Sequence, residues 1–152
     1  MVARNEIRAA TGIADVESVR ALMREYGEFL AHHPAGPEHF CLSGLEAELD
    51  TLPEPYTPPG ALLLASVEGR TAGCVALKEL PSLNQASPAF SLELRRLWVR
   101  PQFRSLGLGR DLLQAALRHA RLSGAQSIYL DTVPAAMPEA NRLYSEFGFR
   151  EI

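Results

Sequence analysis

Cysteine is scarce in this sequence: among 152 residues only Cys41 and Cys74 carry a thiol. Neither has the paired spacing of a zinc or redox motif, so both are expected as reduced thiols filling core space in a reducing compartment. Long apolar runs are missing too. No stretch approaches membrane-spanning length, and the N-terminus lacks the basic start, apolar core and small-residue cleavage site of a secretory leader. The expected location is cytoplasmic, with no membrane partner. Basic residues are outnumbered, 15 Lys and Arg against 18 Asp and Glu, for a formal charge of -3 and a pI near 5.8. Such a surface exerts no general pull on nucleic acid or anionic lipid, so any anion site has to be built locally. Ligand-like spacing is also absent. His32, His33 and His39 cluster around a helix break without the pattern that fixes the ligands of a metal ion, and no metal is expected.

What the sequence does contain is enough apolar side chain, 47% of residues, to close one core, and the expectation is a single domain over 1–152. A short strand is read over 4–10. Asp15 is the expected cap of a helix running to about residue 32, with Val16, Val19, Leu22, Tyr26, Phe29 and Leu30 on one face. Leu42, Leu45, Leu49 and Leu52 mark a second, shorter helix. "ALLLASV" and "TAGCVALKEL" read as a hairpin turning at Glu68-Gly69-Arg70, and a longer strand spans Phe90 to Val99. In that strand Arg96 adds a second polar residue in succession, and the alternation resumes one residue out of step at Leu97. One inserted residue is the sequence form of a β-bulge. From Gly107 the period changes to that of a helix closed by Ser123-Gly124; "SIYLDT" is a further strand, "MPEANRLYSEFG" a last helix, and Phe149 to Ile152 begin another strand. The order β-α-α-β-β-β-α-β-α-β predicts an α/β sandwich: a mixed central sheet, bulged in its fourth strand and flanked by helices.

Between the bulged strand and the long helix lies "RPQFRSLGLGR". A glycine-rich turn feeding a helix N-terminus presents bare N–H groups and partial positive charge, a natural phosphate site. Gly107 and Gly109 allow positive φ and close approach to the backbone. Arg95, Arg96, Arg100, Arg104 and Arg110 fall within sixteen residues that hold no Asp or Glu, which suits a polyphosphate ligand. Two other glycine motifs are excluded. The chain has Gly109-Arg110-Asp111 where a Walker loop needs Gly-Lys-Ser/Thr, and Leu112 where the dinucleotide fingerprint needs its third glycine.

"RLWVRPQFRSLGLGRDLL" resembles motif A of the GNAT superfamily of N-acetyltransferases, Arg/Gln-x-x-Gly-x-Gly/Ala after a bulged strand, with Arg104, Gly107 and Gly109 in register. Ala140 to Phe149 resemble the motif that follows, where a helix tyrosine precedes Gly-Phe. The resemblance covers nearly the whole chain. It implies acetyl-CoA as cofactor, with pyrophosphate on the amides of Leu106 to Arg110 and the pantetheine arm along Leu97, Trp98 and Val99. Cofactor contacts are thus expected from those three and from Arg104, Ser105, Leu106, Gly107, Leu108, Gly109 and Arg110. There are two departures. Met137 stands where many relatives carry an asparagine, a role not transferred to Asn141. The family's final inserted strand has no counterpart before Ile152, and open edges there would favour a homodimer.

The implied function is transfer of an acetyl group to the primary amine of a small molecule or amino acid derivative, by direct attack in a ternary complex; the alternative is a non-catalytic acyl-CoA sensor. Glu93, facing away from Leu92 and Leu94, is either an ordinary strand glutamate or the base that takes the amine proton. Tyr144 is either a core ring or the acid that serves the leaving thiolate. An N–H freed at the bulge, that of Leu97 or Trp98, is expected to meet the oxyanion. Phe29, His33, Phe40 and Arg95 are the candidate acceptor contacts. His119 is expected to face solvent.

Overall fold

The computed structural model describes residues 4–36, 42–82 and 88–152. The elements are β1 (Asn5–Ala9), α1 (Gly12–His32), α2 (Leu42–Asp50), β2 (Ala61–Val67), β3 (Arg70–Pro81), β4 (Phe90–Val99), α3 (Leu108–Ser123), β5 (Ile128–Leu130) and α4 (Pro138–Glu146), with short 3-10 turns at Glu54–Tyr56 and Pro101–Phe103. The strands lie in chain order, antiparallel from β1 to β4 and parallel between β4 and β5. That is the expected mixed sheet.

Each face of the sheet carries its own core. Leu108, Leu112, Leu113, Ala116 and Ala120 of α3 pack on Val75, Leu77, Leu92 and Leu94, with α4 at the edge of the same layer. The three α3 leucines are at most 1% exposed, and burying each contributes about 1.5–3 kcal/mol. On the other face, Val19, Leu22 and Met23 of α1 and Leu45 and Leu49 of α2 meet Leu62, Leu64, Cys74, Ala76 and Trp98. Cys74 is a free, fully buried thiol whose pKa burial pushes up to about 12, so it serves as packing. Cys41 lies outside the described residues.

The bulge falls where the alternation of the sequence places it. Cys74 pairs with Trp98 and Ala76 with Arg95, so Val75 alone on β3 opposes Arg96 and Leu97 together on β4. Arg96 takes a left-handed φ of 59°. The extra residue puts Arg95 and Arg96 in succession toward the α1/α2 side, while Leu97 returns to the α3 core and Trp98 to the α1 core. Gly73 makes room for this bend, since a Cβ there would sit 2.6 Å from the Trp98 carbonyl oxygen.

Three expectations change. Helix α1 begins at Gly12, so Asp15 lies inside its first turn and reaches back to accept the Thr11 N–H at 2.8 Å. The Arg8 guanidinium, bonded to the same carboxylate, and the Thr11 N–H hold Asp15 well below the usual carboxylate range. Residues 149–152 form no strand; a strand exists through its ladder, and this segment is turned instead by the end of α4. Gly148 adopts φ 93° and the Phe149 N–H donates to the Tyr144 carbonyl at 3.0 Å, a Schellman-type closure. His119 is half-buried, its Nε2 2.8 Å from the Pro59 carbonyl oxygen and 3.2 Å from Ser123 Oγ.

Candidate active site

Beyond Leu94 strands β4 and β5 part. The parallel ladder joins Leu92, Glu93 and Leu94 to Ile128, Tyr129 and Leu130 and stops, whereas β4 stays paired with β3 as far as Val99. The β4 edge from Arg95 to Val99 therefore faces an open cleft. Which groups point into it follows from strand alternation. The Arg100 N–H donates to Ala72 on the β3 side at 2.8 Å, so Val99 presents its N–H and C=O to the cleft, and Leu97 its N–H. Arg104 Nε confirms the direction by donating to the Val99 carbonyl at 3.0 Å. Of the two amides expected for an oxyanion, that of Leu97 is the one turned to the cleft, and that of Trp98 is turned to the sheet.

At the mouth of the cleft the chain turns through Ser105 (φ 67°) and Gly107 (φ 80°) into α3. The first bond of that helix runs from the Asp111 N–H to the Gly107 carbonyl at 3.0 Å. The six preceding amides, Ser105 to Arg110, have no hydrogen-bond acceptor among the described residues. The two glycines do different work. Gly107 supplies the left-handed conformation, with nothing within 4 Å of where a Cβ would be, whereas a Cβ on Gly109 would come 3.3 Å from Leu143 Cδ1, so Gly109 lets α4 pack close. Together these segments line a cavity of about 420 Å³ whose walls include Leu97, Trp98, Val99, Arg104, Ser105, Gly107, Leu108, Gly109 and Arg110. Leu106 is turned outward, 43% exposed, with its carbonyl accepting from Asn5 Nδ2 at 3.1 Å.

A second cavity of about 350 Å³ adjoins the first through Leu97 and Met137, which line both. Glu93, Arg95 and Tyr144 lie on its walls, with Tyr26, Glu48, Arg96, Asp131 and Thr132. Phe29 lines the first cavity instead, and packs against Trp98 with ring centroids 5.4 Å apart. His33 stands off both walls: its Nδ1 accepts the Ala35 N–H, and its ring lies 5.9 Å from that of Phe29. Phe40 lies outside the described residues, as does His39. Asn141 is held by Thr132 Oγ1 and the Met137 carbonyl, 2.9 and 2.8 Å from its Nδ2, a local structural role.

The arginine cluster has to be corrected. Its stretch of sequence contains no acid, yet acids from other segments meet four of the five: Glu48 meets Arg95 and Arg96, Glu25 meets Arg100, and Glu146 meets Arg110. Among the described residues Arg104 alone of the five has no carboxylate partner; its guanidinium lies 5.0 Å over the Trp98 ring. The anion site is therefore chiefly main chain, with Arg104 and Arg110 at its rim. Glu25 and Glu48 are the functional supports that the sequence did not disclose. Glu25 accepts from Trp98 Nε1 at 3.2 Å and from Arg100, fixing the indole at the cavity wall. Glu48 grips Arg96 with two bonds of 3.2 and 3.1 Å. Burial works to raise the Glu48 pKa, but its bonds and charge pairing with Arg96, and the Arg95 charge, outweigh this and hold it below the ordinary value. Tyr56 is buried close by, and burial first, then the neighbouring Glu48 carboxylate, raises its pKa.

Burial, aided by Tyr26, also raises the Tyr144 pKa above that of a free phenol. A phenol so placed keeps its proton at every working pH and is a weaker acid than in water, suited to donating a hydrogen bond rather than releasing the proton outright. Anion-ready amides and a strand edge without a partner among the described residues thus lie beside an adjoining cavity bearing carboxylates and phenols. No helix among the described residues is long and apolar enough to cross a membrane.

The fold is similar to that of proteins of known structure. The aminoglycoside N-acetyltransferase AAC(6')-Iy, solved with a bisubstrate analogue of CoA and acetylneamine, superposes with a TM-score of 0.68 at 20% identity, over 97% of this chain and 92% of that one. An uncharacterized N-acetyltransferase of Schizosaccharomyces pombe is 32% identical over 138 residues, covering 90% of this chain and 77% of that protein. An N-alpha-acetyltransferase of Sulfurisphaera tokodaii is 30% identical over 102 residues, 60% of this chain and 58% of that protein. Residues 19–149, which hold the bulged strand, the amide-rich turn and both cavities, match the Acetyltransferase (GNAT) family, and the chain belongs to it.

Proposed function

We propose that this protein transfers an acetyl group from acetyl-CoA to the primary amine of a small molecule or amino acid derivative, by direct attack within a ternary complex. The observation that carries this reading is the run of six amides, Ser105 to Arg110, that have no acceptor among the described residues, at the mouth of a cleft whose β4 edge has no partner among them either. A diphosphate takes several N–H donors at once, and an extended amide-bearing arm completes a bare strand edge, so the donors present fit coenzyme A. Ser105 to Arg110 would hold the pyrophosphate, and Leu97 to Val99 the arm, once Arg104 gives up the Val99 carbonyl.

Bound there, acetyl-CoA supplies an activated acyl group on a thioester whose thiolate can depart. The chain supplies three further things. A free alkylamine has a pKa of about 10.4 and is almost entirely protonated at neutral pH, so Glu93 takes the proton from the acceptor nitrogen, directly or through a water. The Leu97 N–H donates to the carbonyl oxygen as charge develops on it. The Tyr144 hydroxyl donates a hydrogen bond at the departing sulfur. The outer edge of β5 has no partner among the described residues and is where a second copy would pair; a monomeric mass in light scattering at micromolar protein would count against a homodimer.

The test is thiol release from acetyl-CoA across a panel of amines, with calorimetric titration of coenzyme A as control. Submicromolar to micromolar coenzyme binding together with amine-dependent thiol release is expected. Binding without turnover over a broad panel would turn the reading to a sensor, and absence of both would overturn it.

A further inference from the structure

The bulge brings two arginines onto one wall, and they are not equivalent. Arg96 is locked by Glu48 in a two-bond fork, with its side chain 12% exposed. Arg95 lies near two carboxylates, its Nη2 3.2 Å from Glu48 and its Nε 3.5 Å from Glu93, but hydrogen-bonds to neither. Its fork of N–H donors thus lines the acceptor cavity paired by charge with two carboxylates, but with no hydrogen bond among the described residues. A partly buried guanidinium in that state is matched by a planar oxyanion that can accept two bonds in parallel.

The charges around it narrow the choice. Among the described residues of the cavity walls, Glu48, Glu93 and Asp131 oppose Arg95 and Arg96, a surplus of one negative charge. An amine without an acidic group would answer Glu93 but leave the Arg95 donors unmet. An acid without an amine would meet Arg95 and face the surplus. Only a molecule carrying both groups answers both, and Arg95 Nε and Glu93 Oε1 stand 3.5 Å apart, which brings the two groups of the ligand close together.

We infer that the acceptor is a free α-amino acid, or a compound with the same amine and carboxylate on one carbon, with its carboxylate on Arg95 and its nitrogen on Glu93. This rests on the acetyl-transfer reading above. A carboxylate on Arg95 draws the guanidinium away from Glu93 and frees Glu93 for the acceptor nitrogen. Leu30, Leu45 and Val133 on the same walls offer the side chain an apolar surface.

The experiment compares matched acceptors that differ only in the carboxylate: α-amino acids, their primary amides and the corresponding decarboxylated amines. Thiol release from acetyl-CoA and calorimetric binding in the presence of coenzyme A are both read. The wild-type protein should prefer the acid over its amide by about tenfold to a hundredfold in kcat/KM or in affinity, the scale of a charged hydrogen-bond pair. Arg95→Gln should cut that preference to within about twofold, mainly through KM, and leave coenzyme A affinity unchanged. Arg95→Lys should restore part of it. Amides used as well as acids, as a peptide N-terminus would be, overturn the inference while leaving acetyl transfer intact. Acid-selective binding without turnover keeps the Arg95 site and refutes the transferase reading. Failure of acids to bind or react overturns the inference.

Discussion

The two cavities that meet at Leu97 and Met137 are built from different materials. The proposed coenzyme side is main chain: amides and a strand edge without partners among the described residues, supplied largely by one unbroken stretch from Leu97 to Arg110. The acceptor side is side chain: carboxylates, guanidinium groups and phenols delivered by α1, α2, β4, the segment after β5, and α4. A main-chain site depends on backbone conformation, so it tolerates many side chains but few changes at the positions that set φ. A side-chain site depends on charge balance, so it holds its shape only while each buried ion keeps its partner.

The contrast can be broken at its strongest point by Glu48→Ala. That change removes the carboxylate that forks onto the buried Arg96, and denaturant unfolding should show a loss of about 3–5 kcal/mol. Coenzyme A affinity, measured while the variant is folded, should stay within about threefold. A stability loss below about 1 kcal/mol would mean the acceptor wall does not depend on its ion pairs. The reciprocal change is Gly107→Val, which places a β-branched residue at φ 80°. Calorimetry should show coenzyme A affinity falling by about two orders of magnitude, with the acceptor cavity retained; unaltered affinity would remove the main chain from phosphate binding. Tyr144→Phe should lower kcat by about tenfold or less, because thiolate is already a fair leaving group and the buried phenol is a poor acid. A rate unchanged across the pH range would take Tyr144 out of the chemistry.

Acid supplies a gentler probe. The Glu48 pKa is depressed in the folded protein, so its stabilising contribution is complete above the unfolded carboxylate value near 4.5 and is lost as pH falls through the folded value. Comparing unfolding midpoints of wild type and Glu48→Gln should therefore show the gap closing below about pH 4.5. The smallest effect is expected at Glu146→Gln. Its pair with Arg110 is about half exposed at both ends, and unfolding free energy should change by less than about 1 kcal/mol.

The same contrast explains what could be read from residues in a row. The bulge at Arg96, the turn at Gly107 and the start of α3 are local events, written as a slip in alternation, a glycine spacing and a change of period. The acceptor wall is not local. Glu48 sits on α2 with nothing nearby in sequence to mark it as the partner of residues on β4, and Glu25 is equally unmarked on α1. An acid-free stretch holding five arginines was a clue of another kind: buried guanidinium groups need counter-ions, and when the neighbourhood offers none they must arrive from elsewhere in the fold. The misplaced start of α1 has the same origin as the missing last strand. Asp15 closes its turn from within, and Phe149 is diverted by Gly148; in both cases a hydrogen bond between close neighbours decided what periodicity left open.

The Arg104 bond to the Val99 carbonyl has a further consequence. A strand edge left bare for a ligand is equally an invitation to any passing polypeptide, and such edges seed clumping between molecules. The Arg104 guanidinium resting on that carbonyl covers an acceptor otherwise open to a passing strand, and coenzyme binding as proposed requires it to swing away. Resistance to self-association thus hangs partly on one long side chain.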